Sequence, residues 1–61
     1  MSSAQFRVYS LVHRNLAPPL APECVSALLR AIHVDHVELR DGAWSLTPKG
    51  RAEFLFAREV G

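Results

Sequence analysis

The sequence predicts a small α+β domain in which two helices, a β-hairpin and a third helix follow in that order. Two segments in which apolar residues recur with a 3.6-residue period flank a proline-rich connection. Around Asp41-Gly42 the apolar residues recur with a period of two, and Thr47-Pro48 begins a last apolar segment. The 61 residues are enough for one domain, which we place over 1–61. A domain of this size buries only about 60% of its unfolded surface, so nearly every large apolar residue is needed in the core.

The first helix is predicted to begin at Ser2 or Ser3 and to run to about Leu16. A serine oxygen accepts hydrogen bonds from the free N–H groups of a first turn. The side chains expected on its core-facing side are Ala4, Val8, Tyr9, Leu11, Val12 and Leu16. The connection Ala17–Ala21 contains two prolines, which end the helix because a residue before proline is driven out of the α region.

The second helix is predicted over Pro22–His33, because proline fits the first helical position and Glu23 is favourable near the positive end of the helix dipole. Its large apolar residues recur at i, i+3, i+4 and i+7, and we expect them to form the buried stripe: Val25, Leu28, Leu29 and Ile32. A nucleophilic role for Cys24 in the first turn needs an orienting base that the sequence does not arrange. We therefore expect a semi-buried structural cysteine.

A tight hairpin is predicted around Asp41-Gly42, a dipeptide typical of two-residue hairpin loops. That loop pairs the strands in one register: Arg40 with Ala43, Leu39 with Trp44, Glu38 with Ser45 and Val37 with Leu46. Both apolar pairs then lie on one face of the hairpin. Trp44 is expected to anchor this face in the core.

The third helix is predicted from Pro48 to about Val60, with Thr47 as its N-cap. Its apolar residues cover more than one stripe, so one face can pack on the hairpin while the rest stays in water. We therefore expect Phe54, Phe56 and Val60 to form a protein interface, with a second copy in a homodimer or with a larger protein partner. The alternative is that the same residues complete a small core.

The segment Leu46–Arg51, Leu-Thr-Pro-Lys-Gly-Arg, resembles the L-T-x-x-G-R stretch of bacterial winged-helix regulators of the MarR and PadR type. The resemblance covers roughly residues 22–58 and implies a winged-helix-like domain. It places Pro22–His33 at the recognition helix and Arg40-Asp41-Gly42 at the wing tip. It also implies that Gly50 lets the last helix start close to the strand. Only five residues separate the first two helices, so we expect a truncated winged helix that lacks a supporting helix just before the recognition helix.

The net charge of the chain helps to choose between two candidate functions. Seven Lys and Arg against six Asp and Glu give a net charge of +1 and a pI near 8.0, below the pI of about 9 typical of DNA-binding domains. We expect a non-enzymatic regulatory module that acts by protein–protein interaction, as an inhibitor or adaptor of a larger protein. The alternative is a minimal winged-helix DNA-binding regulator, whose candidate nucleic-acid contacts are Arg7, Arg14, Ser26, Arg30, His33 and Arg40.

Other chemistry has weaker signals in the sequence. The segment His33–His36 with His13 contains residue types that bind metals, but the simpler interpretation is a polar junction without metal or cofactor. Ser10 and His13 share a helix face without an orienting acid, so we expect no enzyme. A single cysteine excludes an internal disulfide, and no apolar run approaches the ~18 residues of a membrane span. No basic segment precedes an apolar one as in a secretory signal, so we expect a cytoplasmic location.

Overall fold

A computed structural model describes residues 1–60 and contains the five elements in the predicted order. The helices are α1 (Ser3–His13), α2 (Pro22–His33) and α3 (Pro48–Val60), and the antiparallel strands are β1 (Val37–Arg40) and β2 (Ala43–Leu46). Helix α1 contacts α2, α3 and β2, so it lies at the centre of the packing. The predicted α+β class and element order are confirmed. Within residues 1–60, no helix has both the length and the apolar character needed to cross a membrane.

Helix α1 begins as predicted and ends earlier than predicted. The backbone N–H of Gln5 donates to Ser2 Oγ at 3.1 Å, and the backbone N–H of Ser2 donates to Gln5 Oε1 at 2.8 Å, which forms a capping box. Asn15 adopts a φ of 61°, and the N–H of Leu16 donates to the carbonyl of Leu11 at 2.8 Å. This left-handed cap ends the helix at His13, before the prolines are reached. Leu16 therefore lies outside the helix and is half exposed.

Helix α2 has the predicted bounds but turns a different face to the core. The residues that it buries are Cys24, Ala27 and Ala31, with Leu28 partly buried beside them. The other members of the predicted stripe are exposed: Val25 by 36%, Leu29 by 61% and Ile32 by 40%. Because interhelical distance depends on the side chains at the contact, the small residues allow α1 to approach α2 closely. The large side chains are left to one side of that contact.

The hairpin has the predicted register in all four residue pairs. Asp41 and Gly42 adopt φ angles of 52° and 79°, the pair of left-handed conformations that a type I′ turn requires. Burial decreases towards this turn. Val37 and Leu46 are buried, whereas Trp44 is half-buried at the edge of the core and Leu39 is exposed. Trp44 is therefore a partial anchor, and the Leu39 side of the predicted apolar face remains in water.

Helix α3 starts against the segment that connects α2 to β1. The backbone N–H of Gly50 donates to Thr47 Oγ1 at 3.0 Å, which confirms Thr47 as the N-cap. The Thr47 hydroxyl in turn donates to the Asp35 carbonyl at 2.6 Å. A Cβ on Gly50 would lie 2.6 Å from the carbonyl carbon and 2.8 Å from the Cα of His36. Gly50 therefore permits α3 to start against the backbone of His36, the residue just before β1.

Candidate functional site

Phe54 is the centre of an aromatic cluster that joins α3 to α1. Its ring centroid lies 5.4 Å from that of Phe6 and 5.2 Å from that of His13. The guanidinium carbon of Arg58 lies 5.7 Å from the same centroid, within the range of a cation–π contact. Only 2% of Phe54 is exposed. Phe54 is therefore a core residue of the monomer, which corrects the prediction that placed it in a protein interface.

The opposite side of α3 is apolar and exposed. Phe56 is 65% exposed and Val60 is 71% exposed, so these two members of the predicted interface are accessible. With the exposed neighbours on the same side of the helix they form what we call the α3 face: Ala52, Leu55, Phe56 and Val60. Phe56 and Val60 also line a groove of about 760 Å³ between the end of α3 and the start of α1. Met1 and Phe6 form the α1 side of this groove.

A second apolar surface runs along α2. Val25, Leu29 and Ile32 recur at i, i+4 and i+7, so they form one exposed line that we call the α2 stripe. The sequence interpretation placed these residues in the core and therefore missed this surface. The available signal was the second apolar line on the same helix, made of the small residues Cys24, Ala27 and Ala31.

The six predicted nucleic-acid contacts border separate surfaces. Arg7 and Arg14 line a groove that α1 forms with the connection at Pro19. Ser26 and Arg30 line a different groove, between α1 and α2. The structure therefore does not bring the basic residues of α1 together with those of α2.

Acidic residues also lie among the predicted contacts. Glu23 lines the same groove as Arg30. Near the hairpin turn, an Nη atom of Arg40 lies 3.9 Å from a carboxylate oxygen of Glu38, and both side chains are well exposed. His33 is exposed in the last turn of α2. Charges of both signs thus lie along α2 and near the hairpin turn.

A short polar contact between distant parts of the chain joins Tyr9 to His36. The Tyr9 hydroxyl lies 2.6 Å from His36 Nδ1, and the two rings meet edge to face. Burial raises the pKa of Tyr9 above its ordinary value, and the negative charge of Glu53 raises that pKa further. The phenol is therefore protonated at neutral pH, and the tautomer of His36 determines which of the two groups donates in this hydrogen bond. The sequence contains no local signal for this pair.

The remaining candidates from the sequence do not assemble into a reactive site. Cys24 is a fully buried free cysteine in the core. His13 stacks on Phe54, and His36 Nδ1 is occupied by Tyr9. Within residues 1–60, no three His, Cys, Asp or Glu side chains form a group able to hold a metal ion. The two apolar surfaces, on α2 and on α3, are therefore the most distinctive candidate sites.

No family model, curated protein or solved structure matches this chain. The resemblance to MarR and PadR regulators stays a prediction that depends on Leu46–Arg51.

Proposed function

We propose that this chain is a non-enzymatic protein-interaction module that regulates a larger protein, as an inhibitor or an adaptor. The observation that carries the proposal is the α2 stripe. Large apolar side chains follow one another along the outside of a helix, although a chain of this size needs such residues for its core. Contiguous exposed apolar residues mark interaction surfaces in soluble proteins.

The α2 stripe also indicates the chemistry of the partner. Anchors at i, i+4 and i+7 are the spacing by which an amphipathic helix binds in an apolar groove. Polar residues adjoin the stripe on the helix surface: Ser26, Arg30 and His33. The partner proposed here is a protein with an apolar groove.

The distribution of charge supports a protein partner over duplex DNA. A DNA-binding face needs clustered positive charge to meet a row of phosphates. Here Glu23 shares a groove with Arg30, and Glu38 pairs with Arg40. These carboxylates lie among the residues that would contact phosphate, and they would repel it.

The proposal is tested by capture followed by reconstitution. The immobilised chain is used to capture proteins from an extract of its source cells, and each captured protein is purified. Its affinity for the chain is then measured by calorimetry. Leu29→Lys should weaken this affinity at least tenfold, because it places a charge in the middle of the buried anchors.

Leu20→Lys is the matched control, because Leu20 is 91% exposed and lies outside the α2 stripe. It makes the same chemical change and should leave the affinity within about twofold of the wild type. Equal affinities for Leu29→Lys and the wild type, or no protein captured by the wild type, would overturn the proposal. Binding to duplex DNA that weakens steeply with salt and is lost in Arg30→Ala would instead favour the alternative function.

A further inference from the structure

The α3 face is the candidate contact surface for a second copy of this chain. Its apolar residues extend over two turns of α3, from Ala52 to Val60, on the side away from the core. The charged residues that adjoin the face are Lys49, Arg51, Glu53, Arg58 and Glu59. The ion pair found within residues 1–60 joins Arg40 to Glu38 and uses none of these side chains.

Three of these charges, on Lys49, Arg51 and Glu59, are unfavourable to the dipole of their own helix. The first turn contains no acidic residue, and Lys49 and Arg51 are close to the positive end of the helix dipole. Glu59 is close to the negative end. Arg58, which has the favourable sign at that end, is turned towards the Phe54 ring. An external partner with the opposite order of charges would therefore complement α3.

We infer that two copies of the chain pack their α3 faces against each other in antiparallel orientation, about a two-fold axis near Leu55 and Phe56. Arg51 and Glu59 lie on the same side of the face, and antiparallel packing brings Arg51 of each copy beside Glu59 of the other. The positive N-terminal end of each α3 also meets the negative C-terminal end of the other helix. Parallel packing would place the two positive helix ends side by side, so the helix dipoles favour the antiparallel arrangement.

The size of the chain is consistent with such a dimer. A standard interface takes about 800 Å² from each partner. This is about a fifth of the 4301 Å² surface of the chain. The groove beside Phe56 extends the apolar surface beyond α3 to Met1 and Phe6. Association would also stabilise a domain near the lower size limit for independent folding.

The inference names one partner of the proposed interaction module, so it rests on the proposed function, but it uses the α3 face and not the α2 stripe. Sedimentation equilibrium over a concentration series tests it. The wild type should approach twice the 6.8 kDa mass of one chain as concentration rises. Phe56→Asp should weaken self-association at least tenfold, and far-ultraviolet circular dichroism should show that it remains folded because Phe56 is largely exposed.

The charge arrangement is tested with reciprocal variants on the surface. Arg51→Glu and Glu59→Arg should each weaken self-association, because each places like charges beside each other across the interface. The double variant Arg51→Glu/Glu59→Arg should recover affinity towards the wild-type value. A double variant weaker than both single variants would overturn the antiparallel arrangement.

Leu29→Lys is the control that separates the two surfaces, and it should not change self-association. A wild-type chain that stays monomeric at all concentrations would overturn the α3 dimer and leave the test of the α2 stripe unaffected. A dimer that is dissociated by Leu29→Lys and not by Phe56→Asp would also overturn it.

Discussion

The hydroxyl of Tyr9 lies 2.6 Å from Nδ1 of His36, a residue 27 positions later in the chain. The ring centroids are 5.7 Å apart in an edge-to-face arrangement. Tyr9 belongs to α1, and His36 belongs to the segment between α2 and β1 that also contacts the start of α3 at Gly50. The pair therefore ties α1 to the point where the other elements meet.

Tyr9→Phe should lower the free energy of unfolding by about 1–2 kcal/mol, because it leaves the half-buried Nδ1 of His36 without its hydrogen-bond partner. The ring and its packing are retained, so the variant isolates the hydroxyl. Urea unfolding followed by circular dichroism measures the difference. A variant as stable as the wild type would show that the hydrogen bond makes no net contribution.

The raised pKa of Tyr9 predicts a loss of stability in alkaline solution. The pKa of Tyr9 in the folded chain is raised above 10.0, first by burial and then by Glu53, so near that pH the folded state retains a proton that the unfolded chain has lost. The stabilisation from Tyr9 is therefore complete below about pH 10 and is lost as pH rises through the folded-state pKa. Urea unfolding at a series of alkaline pH values should show a smaller fall in Tyr9→Phe than in the wild type. Tyr9 is the sole tyrosine, so its ultraviolet titration reports this group alone.

Gly50→Ala should lower the free energy of unfolding by about 3 kcal/mol or prevent folding, because the added methyl group would overlap the backbone of His36. Backbone atoms cannot move aside as a flexible side chain can. In an exposed position of a helix, the same change from glycine to alanine would be stabilising by up to about 1 kcal/mol. A stable Gly50→Ala variant, measured by thermal unfolding, would show that α3 does not start against His36.

The features that the sequence predicted correctly depend on local chemistry. The hairpin register follows from Asp41-Gly42, whose two left-handed residues leave one way to close the strands. The start of α3 follows from the hydroxyl of Thr47. In each case a few neighbouring residues determine the conformation, so no knowledge of the packing is needed.

The features that the sequence did not predict depend on contacts between distant residues. Helix α2 has two apolar lines with the same period, one of large residues and one of small residues, and periodicity cannot say which line meets α1. Phe54 and Phe56 likewise differ in burial, because the rings of Phe6 and His13 of α1 pack on the ring of Phe54. The candidate surfaces could be located once these contacts were known.

Ala31→Leu should destabilise the fold by about 1–3 kcal/mol, because Ala31 is 1% exposed in the closely packed core. Leu29→Ala, two positions earlier, should change stability by less than about 1 kcal/mol, because most of that side chain is already in water. Urea unfolding of both variants tests the orientation of α2. A larger loss for Leu29→Ala than for Ala31→Leu would mean that the large apolar line is the buried one.

Phe54→Ala should lower the free energy of unfolding by about 3–5 kcal/mol, because it leaves a cavity in the core between Phe6, His13 and Arg58. Phe56→Ala is the matched control, since it removes the same ring two residues later on the same helix. It should cost less than about 1 kcal/mol in dilute solution, where association does not contribute, because the Phe56 ring is mostly in water. Thermal unfolding at low protein concentration measures both values. Equal losses would mean that both rings are buried, and the α3 face would then be part of the core and unable to bind a second copy.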